Sequence, residues 1–433
     1  MNRIILVLGL FLIFTGKTFA DDSTNSPVVL TLADAQQLAL KNHPQIAAAD
    51  YRSLAAQEAL KETRAGFFPT VNLYGNAVGA ADENTRILAG GLNNPSIYDR
   101  AAGGVAVNQL ITDFGRTANL TASSRFQSQA ENENANATRE QVLLQVTVNY
   151  FNVLKAHAVL LVAQQTFDTR QLLFDRVSLL SSNKLKSELD VSFARVAFQE
   201  GKLLLQKAQN DADAAMTSLS TALGYREPRP FQLTEASLPI QADTHNASQL
   251  VETALANRPE LLSLRNERDS ALRMARSQRD SRLPTISAIG VAGGAPIHDE
   301  HLRDNYSAAG VQLSLPLFAG GFYTARQHEA ELKAQADAEL LRAAEDDLVR
   351  DVHIAWLNVN NALEQLDTTE ELVRSATEAY DLAEARYQIG SSSILELSQS
   401  QLSLTSAQIA NTNARYDALI QQARLNYEVG VLQ

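Results

Sequence analysis

The run His298-Asp299-Glu300-His301 places two imidazoles and two carboxylates in four consecutive positions, the densest set of metal-friendly side chains in the chain. Neighbouring side chains on an irregular loop splay apart and face water, so the run reads as a solvated loop rather than as a closed tetrahedral site. Cysteine is absent, which removes thiolate metal ligands, disulfides and a lipidated N-terminal cysteine. No Gly-rich phosphate loop, His-Glu-x-x-His pair or nucleophile elbow occurs, so neither a cofactor nor an enzyme is expected. The net charge is −12, with no basic stripe interleaved with aromatics, and nucleic acid is therefore not an expected partner. What remains is carboxylates beside sharp helical turns, notably Glu396 and Asp190. Taken alone, each is a helix-start acid favoured by the helix dipole. Any further role depends on the elements that carry them.

Those elements are long helices. No proline falls between residues 96 and 227 or after 316. Only Gly201 interrupts residues 116–223, and only Gly390 interrupts 322–429. Both stretches are rich in Ala, Leu, Gln, Glu, Lys and Arg, all good helix formers. A helix over 115–182 would be roughly 100 Å long, beyond any single globular domain. Val352, Val359, Leu366, Val373, Tyr380 and Tyr387 recur every seven residues, and Leu395, Leu402, Ile409 and Tyr416 resume the spacing after the turn at Gly390. Sustained heptads mean helix packed on helix. The other faces, such as 127–136, are full of Gln, Asn, Ser and Glu, so the helices form either a free-standing rod or the wall of something wet.

The two blocks belong to an internal duplication. Ala39-Leu40-Lys41-Asn42-His43-Pro44-Gln45-Ile46 matches Ala254-Leu255-Ala256-Asn257-Arg258-Pro259-Glu260-Leu261 at an offset of 215, which also places Arg64, Pro69, Thr70 and Gly75 on Arg279, Pro284, Thr285 and Gly290. Downstream the offset is 206: Gly104 falls on Gly310, Gly115 on Gly321, Asp190 on Glu396 and Gly224 on Gly430. The difference is taken up in a loop, 81–101 in the first repeat and 295–306 in the second. The repeats are expected at 21–224 and 247–433, with 225–246 as the linker. Each reads as a helix, two strands, a very long helix, a turn and a shorter helix. The strands are expected at about 69–80, 102–111, 284–293 and 307–318, the helices at about 115–182, 187–223, 321–389 and 392–429. Val311, Leu313 and Leu315 alternate with Gln312 and Ser314, the period of a sheet with one apolar and one polar face. Phe67, Phe68, Phe318, Phe322 and Tyr323 cluster at strand–helix junctions, either as ordinary core aromatics or as an interfacial girdle.

Residues 1–20 read as a signal peptide: Arg3 precedes an apolar run over 4–14, and Thr18-Phe19-Ala20 offers a cleavage site. No later apolar run approaches a membrane span, so membrane entry would be through strands closed into a barrel. Four strands per chain cannot close alone, since closed transmembrane barrels begin at eight. Two chains would give a barrel filled by its own side chains, and a conduit needs at least three. The alternative is a periplasmic coiled-coil structural or adaptor protein without a pore, which has no use for strand hairpins set between its helices.

The duplication, the junction Leu315-Pro316-Leu317-Phe318-Ala319-Gly320-Gly321 and the turn Arg386-Tyr387-Gln388-Ile389-Gly390-Ser391-Ser392-Ser393 together resemble the TolC-like outer-membrane efflux family. The resemblance implies an α+β membrane protein in which antiparallel coiled-coil helices form a periplasmic α-barrel. Four strands per protomer would enter a shared 12-stranded barrel in the outer-membrane lipid. It further implies a homotrimer serving as the passive exit duct of a tripartite efflux or type I secretion system. Its partners would be a periplasmic adaptor and an inner-membrane pump of the RND or ABC type, with small-molecule efflux favoured over protein secretion. In relatives a tyrosine and an arginine lock the entrance, and rings of aspartate line it. Tyr387 matches the tyrosine and Glu396 the first acid, with Asp190 its counterpart in the first repeat. Ser392 stands where the arginine would be and Gln399 where a second acid would be. Three copies of Glu396 around an axis would attract cations. Adaptor docking would fall on the turns at Ser182, Asn183 and Lys184 and at Gly390, Ser391 and Ser392.

Overall fold

The computed structural model describes residues 28–79, 85–86, 96–97, 100–235, 246–298 and 303–431. The expected signal peptide, residues 299–302 and most of the 81–101 loop lie outside the described residues. In chain order the elements are β1 (Val28–Leu30), α1 (Leu32–Asn42), α2 (Pro44–Ala65), β2 (Thr70–Val78), β3 (Thr85–Arg86), β4 (Ser96–Ile97), β5 (Arg100–Thr112), α3 (Arg116–Ser182) and α4 (Glu188–Ala222). Then come β6 (Phe231–Leu233), α5 (Ala247–Asn257), α6 (Pro259–Asp280), β7 (Thr285–Ile297), β8 (Asn305–Ser314), α7 (Phe322–Gln388) and α8 (Ile394–Val429).

The helix that opens each repeat is in fact two helices. His43 and Arg258 are extended (ψ 123 and 120), and Pro44 and Pro259 occupy the first helical position after them. Proline disfavours the helical region for its predecessor, while its own fixed φ suits a helix start. The long helices α3 and α7 span 67 residues each. Both start from a left-handed glycine, Gly115 (φ 108) and Gly321 (φ 83). Asp113 is buried and caps α3, accepting from the Thr117 amide at 2.8 Å and from its hydroxyl at 2.5 Å. Part of α3 is apolar enough to cross a membrane by length and composition. Part of that apolarity goes into helix packing: Val142, Val146, Tyr150, Phe151 and Val153 are fully buried against α1, the end of α4 and Tyr416 of α8.

A three-residue parallel pair, β1 with β6, closes this core. Tyr150 ties it down by donating to the carbonyls of Leu30 (3.1 Å) and Thr234 (2.6 Å). The pairing puts residues 231–233, read from the sequence as linker, into a sheet. Three residues are too few for periodicity to reveal.

The main sheet is antiparallel in the order β2-β5-β7-β8. Its register stacks Val71 beside Val107, Leu73 beside Val105, Val105 beside Ala292, Ala288 beside Val311 and Ile286 beside Leu313. These residues share one face, and Val71, Leu73, Val105, Val107, Val311 and Leu313 are all exposed, Leu73 at 83%. The opposite face carries Asn72, Asn76, Asn108, Ser287, Gln312 and Ser314. β8 ends at Ser314, short of the expected 318, because Pro316 cannot extend the ladder. Phe67, Phe68, Phe318 and Phe322 are exposed, Phe318 at 90%, so they are not core aromatics of the protomer.

The heptad reading holds along α7, where Val352, Val359 and Tyr387 are buried, and needs correction at the start of α8. There Leu395 and Leu402 are exposed, while Ile394 and Leu397 pack inward. Ser393 caps α8 by accepting from the Glu396 amide at 3.2 Å, and that start point turns Ile394 rather than Leu395 toward α7.

Candidate functional site

The four long helices end in two tips, one between α3 and α4 and one between α7 and α8. At both, the chain reverses through a left-handed residue, Lys184 (φ 63) and Gly390 (φ 77). A bond spanning five residues follows in each case, Leu185 N to Leu180 O at 2.9 Å and Ser391 N to Arg386 O at 2.8 Å, the Schellman closure of a helix end. Side chains complete the first tip: Ser182 Oγ and Asn183 Nδ2 each donate to Leu179 O at 2.8 Å. At the second, Ser391 Oγ donates to Arg386 O at 3.1 Å and Ser392 Oγ to Ser393 O at 3.4 Å. Ser182, Asn183, Lys184, Gly390 and Ser391 are exposed, and Ser392 is half-buried.

Tyr387 is the point where the hairpins meet. Its ring is buried with Val177 of α3, Ala194 of α4, and Ile394 and Leu397 of α8. Lys186, from the opposite tip, sits over the ring with Nζ 4.4 Å from its centroid, within range of a cation–π attraction. The Tyr387 hydroxyl is buried without a hydrogen-bond partner, so the ring, not the phenol, makes the contact between hairpins. Lys186 has no signal in the sequence, because nothing local says which aromatic a turn lysine will cover. One heptad back along α7, burial together with Glu384 and Asp381 pushes Tyr380 above the ordinary phenol range.

The acids behave differently from one another. Asp190 accepts from the Ser187 amide (3.1 Å) and hydroxyl (2.9 Å), while its own amide donates to Ser187 Oγ at 3.1 Å, a capping box that starts α4. Glu396 makes no such box. It pairs with Arg386 of α7 at 3.0 Å, both groups remaining about half exposed. Gln399 is exposed on α8. The structure therefore brings Tyr387, Lys186, Arg386 and Glu396 together at the tips, and leaves Asp190 as a cap and Gln399 on the surface.

A second gathering of charge lies at the other end of α8. Arg258, at the α5–α6 junction, is buried and donates to the Tyr427 carbonyl at 2.5 Å. It pairs with Glu260 at 3.2 Å and Glu428 at 3.5 Å and stacks over the Tyr427 ring at 4.1 Å. Glu140 of α3 faces this group. Burial, then Glu260, pushes its carboxyl up to about 7 against the pull of Arg258. Burial and Glu260 likewise push Tyr427 up to about 12. The sequence hides this cluster, since its members come from three helices and a junction far apart in the chain.

Among the described residues, no group of three or more His, Asp or Glu side chains is placed to hold a metal ion. His298 instead faces Asp304 at 2.7 Å.

The chain matches the outer membrane efflux protein family over residues 35–225 and 250–431. It is 24% identical over 425 residues to the outer membrane protein TolC of Escherichia coli, covering 93% of this chain and 82% of that protein. It is also 24% identical over 430 residues to the alkaline protease secretion protein AprF of Pseudomonas aeruginosa, covering 93% and 85%. Among solved structures, the outer membrane protein VceC of Vibrio cholerae superposes with a TM-score of 0.78 at 18% identity, covering 92% of this chain and 96% of that one. With both long matched stretches spanning the tips and the sheet just described, the chain belongs to the outer membrane efflux protein family.

Proposed function

We propose that this outer membrane protein is the trimeric exit duct of a tripartite export system, a passive conduit for small molecules recruited by an inner-membrane pump and a periplasmic adaptor. The observation that carries the reading is the four-stranded sheet, with an exposed apolar face, a polar face and outer strands β2 and β8. Three such sheets joined edge to edge give twelve strands, apolar toward lipid and polar toward a lumen wide enough for cargo. The exposed phenylalanines at the strand–helix junctions fit an interfacial girdle. The family's description favours efflux, while AprF by its name serves protease secretion. The pump, not this chain, would select the cargo.

The test is the mass of the detergent-extracted species, unboiled and boiled. A species of three protomers that collapses on heating supports the shared barrel. A soluble monomer or dimer would leave the pore-free coiled-coil adaptor as the better account.

In this reading the tips are the periplasmic entrance. Lys186 on Tyr387 holds the two hairpins together in place of a tyrosine–arginine link, while Arg386 on Glu396 braces the α7–α8 turn, so that the Glu396 ring is partly neutralised by its own arginine. Tyr387→Ala is expected to raise single-channel conductance severalfold, whereas Tyr387→Phe, which keeps the ring, leaves it unchanged. Equal effects of the two variants would shift the lock to the hydroxyl.

A further inference from the structure

Two sides of the same helical layer are made differently. On α6, Ser263, Ser270 and Ser277 are spaced by seven. They donate to the carbonyls of Ala130, Ser123 and Arg116, spaced by seven in the opposite direction on α3, at 3.1, 2.9 and 3.0 Å. Asn119 of α3 donates to Asp280 at 2.7 Å. Farther toward the tips, α3 meets α8 through the Lys155–Asp417 ion pair at 2.9 Å and the Thr166 and Thr405 hydroxyls 3.3 Å apart. All of these ties join a residue before the linker to one after it. They pin α3 to the second repeat.

The sequence offsets carry this seam onto surfaces that have no such neighbour within the seam itself. Moving α6 back by 215 gives α2, and moving α3 forward by 206 gives α7. The serine positions become Ala48, Ala55 and Glu62, and their carbonyl partners become Ala336, Glu329 and Phe322. All six are exposed. We infer that a second copy of this chain seats its α7 on this α2 in the register in which α3 holds α6, with Ala55 opposite Glu329 of the neighbouring copy. The inference rests on the shared-barrel assembly proposed above and adds its register and its chemistry.

The chemistry is one of missing ties. Alanine and glutamate replace the three serines. Asp280 and Asn119 become Ala65 and Ala325, and Lys155 and Asp417 become Asn361 and Asp211. The three hydroxyl-to-carbonyl bonds, the Asn119–Asp280 bond and the ion pair therefore have no counterpart at the matched positions, where Asn361 and Asp211 leave room for one amide–carboxylate bond in place of the ion pair. At the serine positions the seam between copies is therefore unpinned, while the matching stretch within each copy is fixed by three bonds. Strain imposed on the assembly is taken up between copies.

The chain has no cysteine of its own, so paired cysteines report cleanly. Ala55→Cys with Glu329→Cys stands in for Ser270 and Ser123, whose hydroxyl oxygens lie 3.0 Å apart. In oxidised outer membranes this pair is expected to give covalent trimers that vanish on reduction, and Ala55→Cys with Ala336→Cys, two turns away, is expected to give none. If the heat-labile trimer is present but only the second pair links, the register is wrong. If no heat-labile trimer exists at all, the assembly reading itself fails. Ala48→Ser with Ala55→Ser restores two hydroxyls opposite the carbonyls of Ala336 and Glu329. It is expected to raise the temperature at which unboiled trimers dissociate by several degrees, and an unchanged temperature would overturn the unpinned seam.

Discussion

Before the linker, α2 and α3 are joined by Asp50 and Arg139; after it, α6 and α7 are joined by Arg265 and Glu345 at 3.0 Å. The offsets of 215 and 206 place Arg265 on Asp50 and Glu345 on Arg139. The same pair of positions is thus bridged with the charges exchanged. Complementarity at that point of contact matters to the packing, and its polarity does not. The tips make a related point about the backbone. Lys184 and Gly390 stand 206 apart and both are left-handed, as are Phe114 and Gly320. The fold keeps the conformation where the second repeat has glycine and the first has a side chain that resists it.

The sharpest contrast between matched positions is at Gly104 and Gly310. A Cβ at Gly104 would lie 2.6 Å from the Ala292 carbonyl and 2.9 Å from Gly293 Cα, and would collide with the Tyr306 hydroxyl, whereas at Gly310 nothing lies within 4 Å. Backbone on the neighbouring strand cannot yield, so Gly104→Ala is expected to cost about 3 kcal/mol and abolish insertion, at the upper end for an overpacked position. Gly310→Ala should leave the sheet of the protomer intact. Heat-modifiable protein recovered from outer membranes reads both, and full recovery of Gly104→Ala would break the contrast.

A smaller difference separates Glu140 from Asp346, 206 residues on, which is exposed. Glu140 ordinarily ionises near 4.5, and in the fold it is pushed up to about 7 by burial and Glu260. The folded state thus holds the proton more tightly than the unfolded chain does. The stability this gives is complete below pH 4.5, falls as pH rises toward 7 and is absent above it. Glu140→Gln cannot ionise. Wild type is therefore expected to lose ground to this variant in thermal melts between pH 5 and pH 8, by a few degrees, and parallel curves would count against the buried cluster.

Much of this architecture is legible in the sequence, because long helices announce themselves by the absence of proline and glycine, and β8 by the strict alternation of Val311, Leu313 and Gln312. Pro44 and Pro259 were equally visible as punctuation, and mark the helix breaks after His43 and Arg258. The β1–β6 pair was not legible, since its partners are three residues long and some two hundred apart. At the tips, Ser187 and Asp190 carry a capping-box spacing that identifies Asp190 as a cap. Lys186 could not be found that way. Its meaning arises only when two hairpins meet, and so does that of Arg258, whose partners lie on α6 and α8.

The exchanged ion pair offers its own test. Asp50→Arg alone sets two cations together, and Arg139→Glu alone sets two anions. Both groups are more than a third exposed, so each single change should cost about 1 kcal/mol. The double variant carries the polarity that Arg265 and Glu345 already use, and is expected to recover most of the loss in a double-mutant cycle. If the double variant is as unstable as the sum of the singles, the positions are coupled to something other than each other.

The smallest effect belongs to the tips, where the two repeats differ by one side chain. A non-glycine residue in the left-handed region costs about 1 kcal/mol, so Gly390→Ala should loosen the α7–α8 turn by about that much. No atom lies within 4 Å of the position a Cβ would take at Gly390, so the cost would come from backbone conformation alone. Lys184→Gly relieves the corresponding strain, but glycine also gains freedom in the unfolded chain, which offsets part of the benefit. The net gain should be a few tenths of a kcal/mol, enough to slow amide exchange at Leu185, which closes on Leu180 at 2.9 Å. Neither change touches Lys186 or Tyr387, so conductance should stay the same in both variants. A change in conductance without a change in exchange would mean that the turn residues themselves, not the strain in them, set the entrance.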